Sequence, residues 1–309
     1  MKVLIINNLY SGLRDGSIFE FMRKLARDGD ELIIRNTDGT APIQSLLEGA
    51  KDCDLVVASG GDGTIASVCY ALRSTGIPIL PFPAGTGNLL ATNLDQPEEP
   101  YALVDMINAG FTLDFDLGEL SFDSDGKPMT TGFILISGAG YDATIMEHSE
   151  RLKEPLGAGA YIVAALANQN PTLAHFKIHL DDQVIETDGI AVLVLNFGKI
   201  YPDISITHAN DARDGLLEIA VIKPQNTVEL LPAFFAAFLD RAGKYPHRTD
   251  AIETFRSRQV RVESDHILHI QYDGEAHGFK TPFDVRVLPG ATRLFVTKKE
   301  YEHLTHEQQ

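Results

Sequence analysis

The stretch Val56-Val57-Ala58-Ser59-Gly60-Gly61-Asp62-Gly63-Thr64 passes from an apolar run straight into glycines and then into residues at helical spacing. The run fits a buried strand, and the segment beyond it predicts a helix over Ile65–Arg73. Glycines lack Cβ, so backbone N–H groups can approach a phosphate closely, and the following helix adds the positive end of its dipole. A carboxylate within such a loop repels phosphate. Asp62 therefore either holds Mg²⁺, polarises an attacking hydroxyl, or caps the turn. Further on, Pro83-Ala84-Gly85-Thr86-Gly87-Asn88-Leu89 also follows a strand and opens a helix. Alone it could be a turn; one strand–helix unit after the first loop it reads as a second phosphate or substrate clamp.

Around these loops the chain alternates. Val3–Asn7, Glu31–Arg35, Asp54–Ala58 and Ile77–Pro81 read as strands. Phe19, Met22, Leu25 and Ala26 fall at helical spacing, and Ile43–Lys51 reads as another helix. Alternation of this kind predicts a parallel, Rossmann-like sheet with helices on its faces. Ligands of such sheets bind outside the carboxyl ends of the strands. Ser11-Gly12, Gly60–Thr64 and Gly85–Asn88 should then converge on one edge. From about residue 113 the pattern changes. Leu113–Leu120, Thr130–Ser137, Phe176–Leu180, Val184–Asp188, Ile190–Asn196, Leu216–Ile222, Gln259–Glu263 and Ile267–Tyr272 read as strands of an antiparallel β-sandwich. Two helical inserts, Tyr161–Asn168 and Val228–Ala242, interrupt them, Asp123–Pro128 reads as a hairpin turn, and the tail Glu300–Gln309 is polar and helical or frayed.

A length of 309 residues suits two domains. The net charge of −17, from 26 Lys+Arg against 43 Asp+Glu, argues against a nucleic-acid partner. It disfavours anionic headgroups but leaves an apolar lipid open. Cys53 and Cys69 sit in apolar patterns and read as buried thiols rather than a disulfide or metal site. No cleavage site follows Met1–Ile6, and the apolar run Leu230–Leu239 is too short to span a bilayer, so a cytoplasmic protein is expected. Neither a Gly-x-Gly-x-x-Gly after the first strand nor a Gly-x-x-x-x-Gly-Lys-Ser/Thr loop is present.

Asn8-x-x-Ser11-Gly12, Gly60–Thr64, Gly85-Thr86-Gly87-Asn88 and Tyr272-Asp273-Gly274-Glu275 occur in one order. In that order the chain resembles the diacylglycerol kinase catalytic-domain family, which includes bacterial lipid kinases, sphingosine kinases and ceramide kinases and is related to NAD kinases. Gly138-Ala139-Gly140-Tyr141-Asp142-Ala143 and Asp214-Gly215-Leu216-Leu217-Glu218 look like two further family motifs. The resemblance implies an α/β ATP-binding domain over residues 1–113 with a returning tail 295–309, and a β-sandwich over 114–294. It implies ATP and Mg²⁺ as cofactors, a lipid substrate, and a site between the domains. Carried over by position, Asn8, Ser11, Gly12, Thr37, Gly60, Gly61, Asp62, Gly63, Thr64, Ile65, Ala66, Gly85, Thr86, Gly87 and Asn88 would meet the nucleotide. Lys153 would be a phosphate partner, and Asp142 would touch the acceptor's head. Glu275 would take the proton from the lipid hydroxyl, with Asp62 organising metal or water. A structural Mg²⁺ would be held by Asp211, Asp214 and the carbonyl of Leu216.

The sequence departs from the family at Leu9, where proline is usual, at Leu89, where many diacylglycerol kinases have aspartate, and at Lys199-Ile200-Tyr201. These departures bear on the acceptor lipid more than on the kinase reaction. NAD kinase and a non-catalytic nucleotide-binding regulator are the other readings. A transient membrane contact through Phe234, Phe235 and Phe238, and a homodimer, are left open by the sequence.

Overall fold

Each apolar run in the first third becomes a strand because a helix beside it supplies an apolar face to cover it. In the computed structural model, β1 (Lys2–Asn8), β2 (Glu31–Thr37), β3 (Leu55–Gly60) and β4 (Pro78–Pro83) pair in the order β2-β1-β3-β4, all parallel. The structure describes residues 1–12, 16–27, 29–124, 126–140, 173–201, 204–205, 211–223, 252–273 and 275–306. The connecting helices are α1 (Ser17–Leu25), α2 (Ile43–Leu46), α3 (Asp62–Ala71), α4 (Leu89–Asn93) and α5 (Pro100–Ala109). Val3, Ile5, Val57, Leu80 and Phe82 bury one sheet face against Phe21 and Leu25 of α1 and Leu103 and Ile107 of α5. Phe21 meets Phe82 edge-on, with ring centroids 5.3 Å apart. Fully burying each such ring stabilises the fold by about 1.5–3 kcal/mol.

The β-rich remainder comprises β5 (Thr112–Ser124), β6 (Lys127–Phe133), β7 (Ile136–Gly140), β8 (Ala174–His179), β9 (Val184–Gly189), β10 (Ala191–Leu195), β11 (Lys199–Tyr201) and β12 (Ile204–Ser205). These are followed by β13 (Leu217–Ile222), β14 (Ile252–Ser257), β15 (Gln259–Ser264), β16 (His269–Tyr272), β17 (Glu275–Lys280) and β18 (Phe283–Phe295). One six-stranded antiparallel sheet runs β14-β13-β10-β7-β16-β17. Against it lie β9-β8-β15 with the first half of β18, and the β5–β6 hairpin. Inward side chains from both layers, among them Val194, Ile219 and Ile270 on one and Phe133, Phe176 and Phe283 on the other, share one core. The hairpin turn closes where Asp123 accepts the Gly126 N–H at 2.7 Å.

The chain divides into two compact units, Met1–Leu117 with Pro289–Gln309, and Gly118–Leu288. Within the first unit the end of β18 pairs in parallel with β4 through Arg293 and Leu294, and α6 (Lys298–His306) follows. Tyr301 of α6 packs on Phe111, with centroids 5.1 Å apart. No helix among the described residues is long and apolar enough to cross a membrane.

Three differences from the sequence reading have local causes. The helix expected over Ile43–Lys51 stops at Leu46, because the chain turns to φ 74° at Gly49. The single strand expected over Thr130–Ser137 is two strands, β6 and β7, broken at Ile134-Leu135 where the backbone bonds to a distant carboxylate. Helix α5, unread in the sequence, starts on a Glu99 side chain that accepts the Ala102 N–H at 2.8 Å, with Pro100 at its first position. The two helical inserts expected at Tyr161–Asn168 and Val228–Ala242 lie outside the described residues.

Candidate active site

The carboxyl ends of β1, β3 and β4 carry the three glycine-bearing loops, and the loops interlock. Asn8 donates from Nδ2 to Thr64 Oγ1 at 2.9 Å, and the Gly61 N–H donates to Ser11 Oγ at 3.2 Å. The Ala84 N–H reaches the Gly60 carbonyl at 3.1 Å. The glycines serve this mutual approach as well as any ligand. A Cβ at Gly85 would lie 2.5 Å from Gly61 Cα, and one at Gly12 would lie 1.9 Å from the Ala84 carbonyl oxygen. Gly12 also sits at φ 53°, where a side chain is strained.

Asp62 ties the second loop to the third. Its Oδ2 accepts the Leu89 N–H at 3.0 Å and its Oδ1 the Leu90 N–H at 2.9 Å. The carboxylate therefore caps α4, rather than the helix it begins. Leu89, where many diacylglycerol kinases carry aspartate, contributes its backbone to this clasp. Burial pushes the Asp62 carboxyl above the usual carboxylate range, against the pull of the Leu90 and Leu89 amides. The left-handed Asn88 (φ 47°) folds its Oδ1 back onto the Gly85 N–H at 2.8 Å.

Thr37 ends β2 beside Asn8, and its hydroxyl accepts the Gly39 N–H at 3.0 Å while its carbonyl takes the Leu9 N–H at 2.9 Å. The side chains of Ile65 and Ala66 are buried in the interior, and the Ile65 N–H is spent on Gly61 O at 3.1 Å. Gly63, Thr86 and Gly87 belong to the same loop cluster, with Gly87 close to Asp62 Oδ2. Beneath the loops runs a polar ladder that sequence reasoning missed. Ser59 Oγ donates to Asn7 Oδ1 at 3.0 Å, and Asn7 Nδ2 donates to Asn36 Oδ1 at 2.9 Å. These residues are register partners on three neighbouring strands. The available signal was a polar residue closing each apolar run.

Glu275 belongs to the other unit, as the first residue of β17, where it pairs with Tyr272 of β16. Its turn is anchored by Asp273, at φ 45° and 6% exposed. The Asp273 carboxylate accepts N–H groups from Ile134 (2.8 Å), Leu135 (2.8 Å) and Ile136 (3.3 Å), and its own N–H donates to Ile136 O at 2.8 Å. Three amide donors on one buried carboxylate fix the turn more firmly than local turn chemistry would. Asp142 and Lys153 lie outside the described residues.

Asp211 and Asp214 share one turn, and three of their four carboxylate oxygens are engaged. Asp211 Oδ1 accepts the Arg213 N–H at 3.0 Å, Asp214 Oδ1 accepts the Leu216 N–H at 2.9 Å, and Asp214 Oδ2 receives the Arg256 guanidinium. Among the described residues no group of three or more His, Cys, Asp or Glu is arranged to hold a metal. The Arg256 guanidinium thus already holds an oxygen that the structural Mg²⁺ implied by the resemblance would need.

The first unit is thus a parallel sheet whose strand ends present interlocked glycine loops, joined in sequence to a β-sandwich. The chain belongs to the diacylglycerol kinase catalytic-domain family: residues 2–120 match the diacylglycerol kinase catalytic domain and residues 136–296 match the YegS C-terminal NAD kinase beta sandwich-like domain. It is 30% identical over 78% of its length to an uncharacterized protein of Synechocystis, of which it spans 54%. It is 29% identical over 79% of its length to a diacylglycerol kinase of Mycobacterium tuberculosis, covering 77% of that protein. A putative diacylglycerol kinase from Bacillus anthracis has the same fold, with a TM-score of 0.75 at 21% identity, over 96% of this chain and 98% of that one.

Proposed function

We propose that this protein is an ATP-dependent lipid kinase that transfers the γ-phosphate to a hydroxyl of diacylglycerol or a similar lipid. The observation that carries the reading is the interlocked cluster of Asn8–Gly12, Gly60–Thr64 and Gly85–Asn88 at the carboxyl edge of the parallel sheet. Glycine backbone and the N-terminal end of α3 offer N–H donors to the phosphates, while the Asp62 clasp holds the second and third loops in one arrangement. The nucleotide enters as its Mg²⁺ complex, whose charge the transfer requires. The lipid hydroxyl oxygen forms a bond to the γ-phosphorus as the bond to the bridging oxygen breaks. ADP leaves, and the hydroxyl proton passes to the Glu275 carboxylate and then to water. A carboxylate of ordinary basicity suffices, because phosphoryl transfer depends on positioning and charge neutralisation.

Incubating purified protein with Mg²⁺, ATP and dispersed lipids tests this reading. Diacylglycerol, monoacylglycerol, a sphingoid base and ceramide form the panel. Phosphorylated product from any of them supports it, and no product from all four counts against it. The match of the second unit to an NAD kinase-like sandwich favours one alternative. Conversion of NAD to NADP in place of lipid phosphorylation would decide for that one.

A further inference from the structure

We propose that Arg256, rather than a divalent cation, closes the acidic turn Asp211–Asp214 in this chain. Arg256 is delivered to the turn by sheet register. It lies on β14 directly opposite Glu218 of β13, and β13 begins right after the turn, at Leu217. Its guanidinium bonds Asp214 Oδ2, while Oδ1 is taken by the Leu216 N–H at 2.9 Å. Glu218, only 5% exposed, places a second acidic residue across the strand pair from the same arginine. The turn is also closed on itself, with the Asp214 N–H reaching the Asp211 carbonyl at 3.4 Å and the Arg213 N–H reaching Asp211 Oδ1 at 3.0 Å.

Mg²⁺ demands near-octahedral oxygens at about 2.0–2.1 Å and gives up its waters reluctantly. To bind here it would have to take Asp214 from a neighbouring fixed positive charge. A guanidinium cannot be deprotonated to make room. It also engages a carboxylate through directed N–H bonds, so one side chain supplies both the charge and the geometry that a cation would bring. The β-sandwich unit is therefore complete without a metal of its own, and any Mg²⁺ requirement of the protein arises with the nucleotide.

Thermal denaturation of the full chain, without nucleotide, in EDTA and in saturating MgCl₂ tests this, alongside Mn²⁺ binding followed by electron paramagnetic resonance. The wild type should melt at the same temperature in both solutions and hold no Mn²⁺ tightly. Arg256→Gln should melt several degrees lower in EDTA and recover part of the loss in Mg²⁺; adding Asp211→Asn should abolish that recovery. If Arg256→Gln does not fold, Arg256→Lys keeps the charge and should melt at the same temperature in EDTA and Mg²⁺. A wild-type midpoint that rises with Mg²⁺, with the rise lost in Asp214→Asn, would overturn the proposal. So would Arg256→Gln as stable as the wild type in EDTA.

Discussion

Replacing Asp62 by asparagine leaves one carbonyl oxygen where two carboxylate oxygens now hold the Leu89 and Leu90 amides at 3.0 and 2.9 Å. Hydrogen bonds to a charged acceptor contribute about 1.5–3 kcal/mol each, and loss of a helix cap costs about 0.5–2 kcal/mol. Asparagine keeps one acceptor oxygen, so only part of this is lost. The expected cost at neutral pH is about 1–2 kcal/mol, a fall in melting temperature of roughly 2–8 °C. The pH dependence has a definite sign. Burial raises the folded carboxyl above its unfolded value of about 3.9, so the native state takes up the proton first. The proton-linked part of the stability Asp62 contributes is fully present below the unfolded pKa and is lost as pH rises through the folded one. Asp62→Asn should therefore destabilise more at about pH 4 than at about pH 8. Thermal melts at the two pH values, with hydrogen exchange of the Leu89 and Leu90 amides, measure this. Unchanged melting at both pH values, with the two amides still protected, would refute the clasp.

Other substitutions probe the same architecture. Gly85→Ala sets a Cβ against Gly61 backbone and should cost about 1–3 kcal/mol in urea denaturation, whereas an unaffected midpoint would mean the loops do not interlock. Asp273→Ala leaves three amides without their acceptor and should cost about 2–4 kcal/mol by the same measurement; a loss below about 1 kcal/mol would contradict its anchoring role. Glu275→Gln should lower kcat about 10²–10⁴-fold with little change in the KM for ATP. A variant with full kcat would remove Glu275 from proton transfer.

Much of the first unit was legible because its signals are local. The runs in β1, β3 and β4 are buried on both faces, so continuous apolar residues bounded by glycine located them within two residues of their observed ends. The rule that ligands gather at strand carboxyl ends places the three loops on one edge from sequence alone. What stayed hidden depends on distant partners. Asp273 lies far along the chain from Ile134–Ile136, and no periodicity announces that its carboxylate will split one expected strand into β6 and β7. The Asp62 clasp was equally invisible, since the local sequence offered α3 as the helix to cap and the structure uses α4. β18 escaped because Pro289-Gly290 interrupts its alternation, although both flanks remain strand. At Asp214 nothing local points to Arg256, which only the β13–β14 register supplies.

The most direct measurement of the central claim follows the γ-phosphate itself. ATP labelled with ³²P at the γ position is incubated with the protein, Mg²⁺ and diacylglycerol-containing mixed micelles, and the products are partitioned between organic and aqueous phases. The account expects label in the organic phase as a phosphorylated lipid, lost in Glu275→Gln. Label that stays entirely in the aqueous phase, as free phosphate or on NAD supplied in the same reaction, would contradict it.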